Sequence, residues 1–146
     1  MDREQSDINR VKLAEGAEAV GLALMLQDLI SQNLEQNPHK LKDLKKLNMS
    51  FGLTVTDADV RMTMEFADGV LTLHPGIKEQ AGVLIESETD IVMAMSNLRI
   101  KGGMPYYFDE TGRDVLKAIF SGRMKVIGML AHFPSMIRLS RLLSVH

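Results

Sequence analysis

After Leu47 the apolar residues of this chain change their spacing, and that change limits what the chain can build. Before it they recur at three and four residues. In AEGAEAVGLALMLQDLISQNLEQN, Leu22, Leu26, Leu29 and Ile30 make one stripe with Met25 beside it, which predicts a helix. Gly16 and Gly21 weaken that helix, so packing must hold it, and Asn37-Pro38 is its natural stop. KLKDLKKL then sets Leu41, Leu44 and Leu47 on one side of a short helical segment. From Met49 the period is two. Met49, Phe51, Leu53 and Val55 alternate with small or polar residues, and so do Val60, Met62, Met64 and Phe66. Strands near 49–56, 59–67 and 69–74 follow, turned at Thr56–Asp59 and at Ala67-Asp68-Gly69. The simplest product is an antiparallel meander with one face against the first helix.

AGVLIES supplies a fourth strand near 82–86. Ser87 is placed to cap a helix with Asp90 in the reciprocal position, and Ile91, Met95 and Leu98 give that helix its stripe. IVMAM also fits a strand. RIKGGMPYYFDE, spanning the 98–110 connection, is a loop that holds both tyrosines. In TGRDVLKAIFSG, Val115, Leu116, Ile119 and Phe120 mark a helix that Gly122 ends. SGRMKVIG has two glycines and two basic residues, as a phosphate loop would. Five residues separate the glycines, however, and they alternate, which predicts a strand near 123–128 with Met124 and Val126 on one side. HFPSMIRLSRLLS closes the series as a helix with Pro134 in its first turn. Phe133, Met136, Ile137, Ser140 and Leu143 form its stripe, Leu139 and Leu142 widen it, and Arg138 and Arg141 occupy the narrow polar remainder. A helix this apolar has to be covered: it closes a core, forms a dimer, or roofs a lipid cavity.

A length of 146 residues favours one domain, read as a polar N-terminal extension over 1–16, able to form helix, and a domain over 17–146. No run approaches 18 apolar residues, and the polar start is unlike a secretory signal, so a cytoplasmic location is expected. Enzymatic chemistry is not expected. There is no cysteine, His39, His74, His132 and His146 lack ligand spacing, and no serine lies in GxSxG. Asp57, Asp59 and Asp68 sit at turns, where aspartate serves the backbone. Neither metal nor cofactor is expected. With two Tyr and no Trp, nucleic acid is not an expected partner. Residues 1–98 hold 9 Lys and Arg against 16 Asp and Glu, a net −7, while 99–146 hold 8 against 3, a net +5. The basic half offers a footprint for an anionic surface, unless the halves neutralise each other in the fold. Methionine is the compositional oddity, 11 residues against five Phe, and walls of this adaptable side chain suit flexible hydrocarbon if they converge.

The order of VRMTMEFADGVLTLHPG, AGVLIESETDIVMAMSNL and VLKAIFSGRMKVIGMLAHFPSMIRLSRLL resembles the sterol carrier protein-2 (SCP-2) lipid-binding domain family, over most of residues 17–145. That resemblance implies an α/β fold: a mostly antiparallel five-stranded sheet, helices packed on one face, and an apolar tunnel between them. It implies non-enzymatic binding or carriage of a fatty acid, sterol-like, isoprenoid or phospholipid ligand, with transient contact at an anionic membrane. The alternative is a protein-interaction or accessory domain of the same fold with a filled cavity. Phe120, Met124 and Val126 carry over as tunnel wall, and Met136, Ile137, Ser140 and Leu143 as helical cover, with Phe133 counted among the ligand-binding residues. The contrast between that helix's broad apolar stripe and its small basic strip also predicts a movable cover, with Arg138 and Arg141 exposed toward anionic headgroups, unless it is a fixed core helix whose arginines face water. The loop LRIKGGMPYYFDE departs from the family pattern, as does the ending SVH, which is not a peroxisomal tripeptide.

Overall fold

The alternation read from Met49 to Phe66 is realised as a hairpin in the computed structural model, which describes residues 10–146. The strands are β1 (Val11–Leu13), β2 (Ser50–Val55), β3 (Val60–Ala67), β4 (Val70–Pro75), β5 (Val83–Ser87), β6 (Ile100–Lys101), β7 (Met104–Pro105) and β8 (Lys125–Ile127). The helices are α1 (Gly21–Gln36), α2 (Leu41–Lys46), α3 (Thr89–Ser96), α4 (Glu110–Ser121) and α5 (Phe133–Leu143). Six strands form one sheet in the order β1-β4-β3-β2-β5-β8, and β6 with β7 forms a separate ribbon inside the 98–110 loop. Among the described residues no helix is long and apolar enough to cross a membrane.

Register puts the alternating apolar sets of β2, β3 and β4 on the face that the helices cover. Phe51 stands opposite Met64 and Leu53 opposite Met62, while Met64 and Phe66 meet Leu73 and Leu71 on the other side. All of these are buried, and the Phe51 and Phe66 rings meet edge to face at 5.7 Å. A slip of one residue would expose the whole set, so this burial fixes the register.

Two pairings differ from a plain meander. After β4 the chain crosses the face opposite the helices and lays β5 parallel to β2. Thr63, fully buried on that face, holds the crossing: its hydroxyl donates to the Gly76 carbonyl at 2.8 Å and accepts from the Lys78 amide at 3.0 Å. Gly52 makes the room, since a Cβ there would lie 2.7 Å from Leu84 Cδ2. The second difference is a sixth strand. Val11–Leu13, within the segment expected as an extension able to form helix, pairs in parallel with Leu71–Leu73 and buries Val11. Residues 1–9 of that extension lie outside the described residues.

IVMAM is helical, as one of its two readings had it, but Ser87 does not cap it. Residue Glu88 occupies the cap position without a side-chain bond, and Asp57 reaches from the β2–β3 turn to accept from the Thr89 amide at 2.9 Å. The cap that local sequence assigned to a neighbour is supplied from 32 residues away.

The glycines of SGRMKVIG serve as geometry. Gly122 ends α4 at φ 80 with nothing within 4 Å of a built Cβ, whereas at Gly128, φ 88, a Cβ would lie 2.4 Å from the Gly82 carbonyl oxygen. Gly122→Ala is expected to cost about 1–2 kcal/mol, the left-handed backbone term alone. Gly128→Ala is expected to cost at least about twice that, because the β5–β8 edge must also part. Urea midpoints at unchanged m-value measure both.

Candidate functional site

Helix α5 holds the cover together. It packs against α1, α2, α3 and β7, while α3 and α4 pack on each other. Its C-terminal end is fastened by buried polar groups. Asn33 Nδ2 of α1 donates to the Leu142 carbonyl at 2.8 Å, and Lys40 Nζ donates to the Ser144 carbonyl. Ser144 Oγ donates to Leu98 O, and the Val145 amide to Ser96 O at 2.9 Å, which tie in the end of α3. Arg141 donates to Asp43 Oδ1 of α2 at 2.6 Å and to the Gly103 carbonyl of the β6–β7 ribbon at 3.0 Å. A lysine at this end also faces the negative pole of the helix. The other end is looser: His132 gives no side-chain cap, Phe133 is half exposed, and Leu130 just before it is 90% exposed.

Because α1 and α3 both lean on α5, a gap stays open between them above the sheet. It holds two adjoining apolar cavities. The inner one, about 80 Å³, has a floor of Leu53, Met64 and Ile85 from β2, β3 and β5. Its sides are Met25, Leu26 and Leu29 of α1 and Val92, Met93 and Met95 of α3, with Ser96 and Leu143 at the end under α5. The outer one, about 240 Å³, lies toward the starts of α1 and α3, between Gly21 and Leu22 on one side and Thr89 on the other, over Val55, Ala58 and Val60. Met25, Val92 and Met93 wall both. The methionines do converge: Met25, Met64, Met93 and Met95 all face the inner space.

Of the residues expected at the tunnel, Leu143 lines this space and the others lie apart from it. Met124, Met136 and Ser140 are buried, Ser140 bonding the Met136 carbonyl at 2.9 Å, and Val126 and Ile137 are half-buried. Phe120 is 84% exposed and Phe133 48% exposed, so neither faces the cavities. Phe120 falls on the outer side because α4 buries Val115 and Ala118, and Phe120 lies off that line. The arginines also differ from expectation. Arg138 is half-buried, and Arg141 is committed to Asp43. The residues that sequence reasoning passed over are on α1 and α3. Met25 beside the α1 stripe and the methionines of IVMAM were the available signal. Among the described residues no group of three or more His, Cys, Asp or Glu is arranged to hold a metal ion.

No protein-family model and no curated protein matches the sequence. Solved structures match its shape. A UbiJ-SCP2 ubiquinone synthesis protein superposes with TM-score 0.59 at 11% identity, covering 86% of this chain and 97% of that one. Sterol carrier protein 2 does so with TM-score 0.50 at 15% identity, covering 82% and 91%. The fold is SCP-2-like. It also recurs as a part of the stereoselective inverting sec-alkylsulfatase Pisa1 from Pseudomonas sp., with TM-score 0.56 at 14% identity over 84% of this chain and 17% of that one.

Burial pushes the Lys40 ammonium below the ordinary lysine range, and Asp43 offsets part of that. Between the folded and unfolded pKa values the unfolded chain binds more protons, so stability should rise with pH through that alkaline window. Lys40→Met is expected to lose this rise and to be less stable at neutral pH, where the Ser144 carbonyl lacks its donor. Denaturant unfolding of both proteins across the alkaline range checks the two effects.

Proposed function

We propose that the chain binds or carries a lipid or another long apolar molecule, without enzymatic chemistry, between the sheet and helices α1 and α3. The observation that supports this reading most is the pair of adjoining cavities with methionine walls. Removing chain methylenes from water there would supply about 0.8 kcal/mol each. Adaptable Met side chains suit apolar bulk more than one outline. The two volumes, about 80 and 240 Å³, stand against pockets of roughly 300–1,000 Å³ for drug-sized ligands. A full-length chain therefore asks α1 and α3 to separate, and the looser N-terminal end of α5 is where the cover gives way. Structural neighbours described as a sterol carrier and a ubiquinone synthesis protein support sterol-like or isoprenoid ligands. The membrane contact proposed for loading uses exposed Leu130 and Phe133 rather than Arg141.

A second reading is an interaction domain with a filled cavity, favoured by the small inner space and by exposed Phe120. Native mass spectrometry of gently purified protein, followed by organic extraction, separates the two. A bound apolar molecule supports carriage. Ligand-free protein that also ignores an uncharged fluorescent alkyl probe supports interaction instead.

Leu29→Trp places a large ring in the inner cavity. It is expected to weaken probe binding by at least about tenfold, with the circular dichroism spectrum of the native fold retained. An unchanged affinity would place the site elsewhere.

A further inference from the structure

The outer cavity has one polar side chain at its rim, and the chemistry of that side chain selects a headgroup. Gly21, Ala58 and Thr89 are exposed and mark the mouth, and every other residue of the lining is apolar. The Thr89 hydroxyl donates to Asp57 Oδ1 at 2.9 Å, and the Thr89 amide donates to the same oxygen at 2.9 Å. With its proton committed, the hydroxyl has only lone pairs left to offer a ligand. Those two bonds hold the Asp57 carboxyl below its ordinary pKa, so it is ionised at neutral pH. Asp59 stands on the same turn, between the lining residues Ala58 and Val60. Among the described residues neither aspartate has a cationic partner. Arg123, on the α3 side of this rim, is shared by Glu88 at 2.7 Å and Asp90 at 3.0 Å, which flank Thr89.

We propose that the mouth selects a long-chain molecule whose polar end donates a hydrogen bond and carries no negative charge, an alcohol being the simplest, and disfavours carboxylates and phosphate esters. This rests on the lipid-carrier reading and narrows it. A hydroxyl headgroup donates to the free lone pair of Thr89 while its chain runs past Met25 and Met93 to the inner cavity. A carboxylate at the same place finds no donor in the side chains of the lining and stands close to Asp57 and Asp59, where like charges repel.

Dodecanol and dodecanoic acid, with equal chains and different ends, test it by titration of the full chain at neutral pH and low salt. The alcohol is expected to bind at least about fivefold tighter, a modest figure because Asp57 is exposed to solvent screening. Asp57→Asn should raise affinity for the acid and narrow its gap to the alcohol. Asp59→Asn should move the acid the same way. It guards against loss of the α3 cap, since Asp59 makes no hydrogen bond among the described residues. Thr89→Val should weaken the alcohol by about threefold or more and spare the acid. Acid binding as tight as alcohol in the wild type, or a gap unmoved in both aspartate variants, overturns the proposal and leaves the carrier reading standing. Failure of both ligands to bind overturns the two together.

Discussion

The cover over the sheet hangs from one end of one helix. At the C-terminal end of α5, Lys40, Asn33, Ser144 and the Asp43–Arg141 pair bring α1, α2 and the end of α3 to the same place. Each of these groups is costly to bury alone, and each has a partner, although Arg141 Nε is buried without one. A purely apolar seam would hold α5 about as well, but it would allow sliding. The directional bonds set where α1 and α3 stop, and the gap between those two helices is the candidate site. A cavity in a protein interior is ordinarily removed by collapse. Here collapse would mean pulling α1 or α3 off its fastening.

Much of this was legible from residue spacing. Residue spacing located all four central strands and four of the five helices, because each strand buries one face and each helix one stripe, and it left IVMAM open between strand and helix. Gly122 was legible as the end of α4 for the same reason, whereas Gly128 as geometry followed from the family resemblance. What escaped depends on distant parts of the chain. Val11–Leu13 is too short to show a period, and it is a strand only because the edge of β4 offers it a ladder. Ser87 looked like a cap on local grounds, yet Asp57 takes the role through the crossing of β5 beside β2. Arg141 looked like a solvent-facing charge because its helix neighbours are apolar. Nothing in sequence placed Asp43 against it.

The candidate site escaped for a related reason. Periodicity tells which side of a helix is buried, not which buried residues meet an empty space. Phe120 was read into an apolar stripe and Met25 beside one, but α1 borders a gap and Phe120 lies off the packed side of α4. Only the relative placement of α1, α3 and α5 separates the two cases.

The fastening at α5 also has a consequence for the order of events in folding. Its bonds join residues 109 and 104 positions apart in the chain, whereas β2, β3 and β4 are joined by short turns. Closing long loops costs entropy before any contact returns it, so the sheet can organise early while the helical cover completes late. The fastened end of α5 would then complete late in folding, whereas on the proposed carrier reading opening begins at its looser N-terminal end. On that reading, a population with the N-terminal end of α5 loosened, while its C-terminal fastening stays in place, would be the state that takes up an apolar chain.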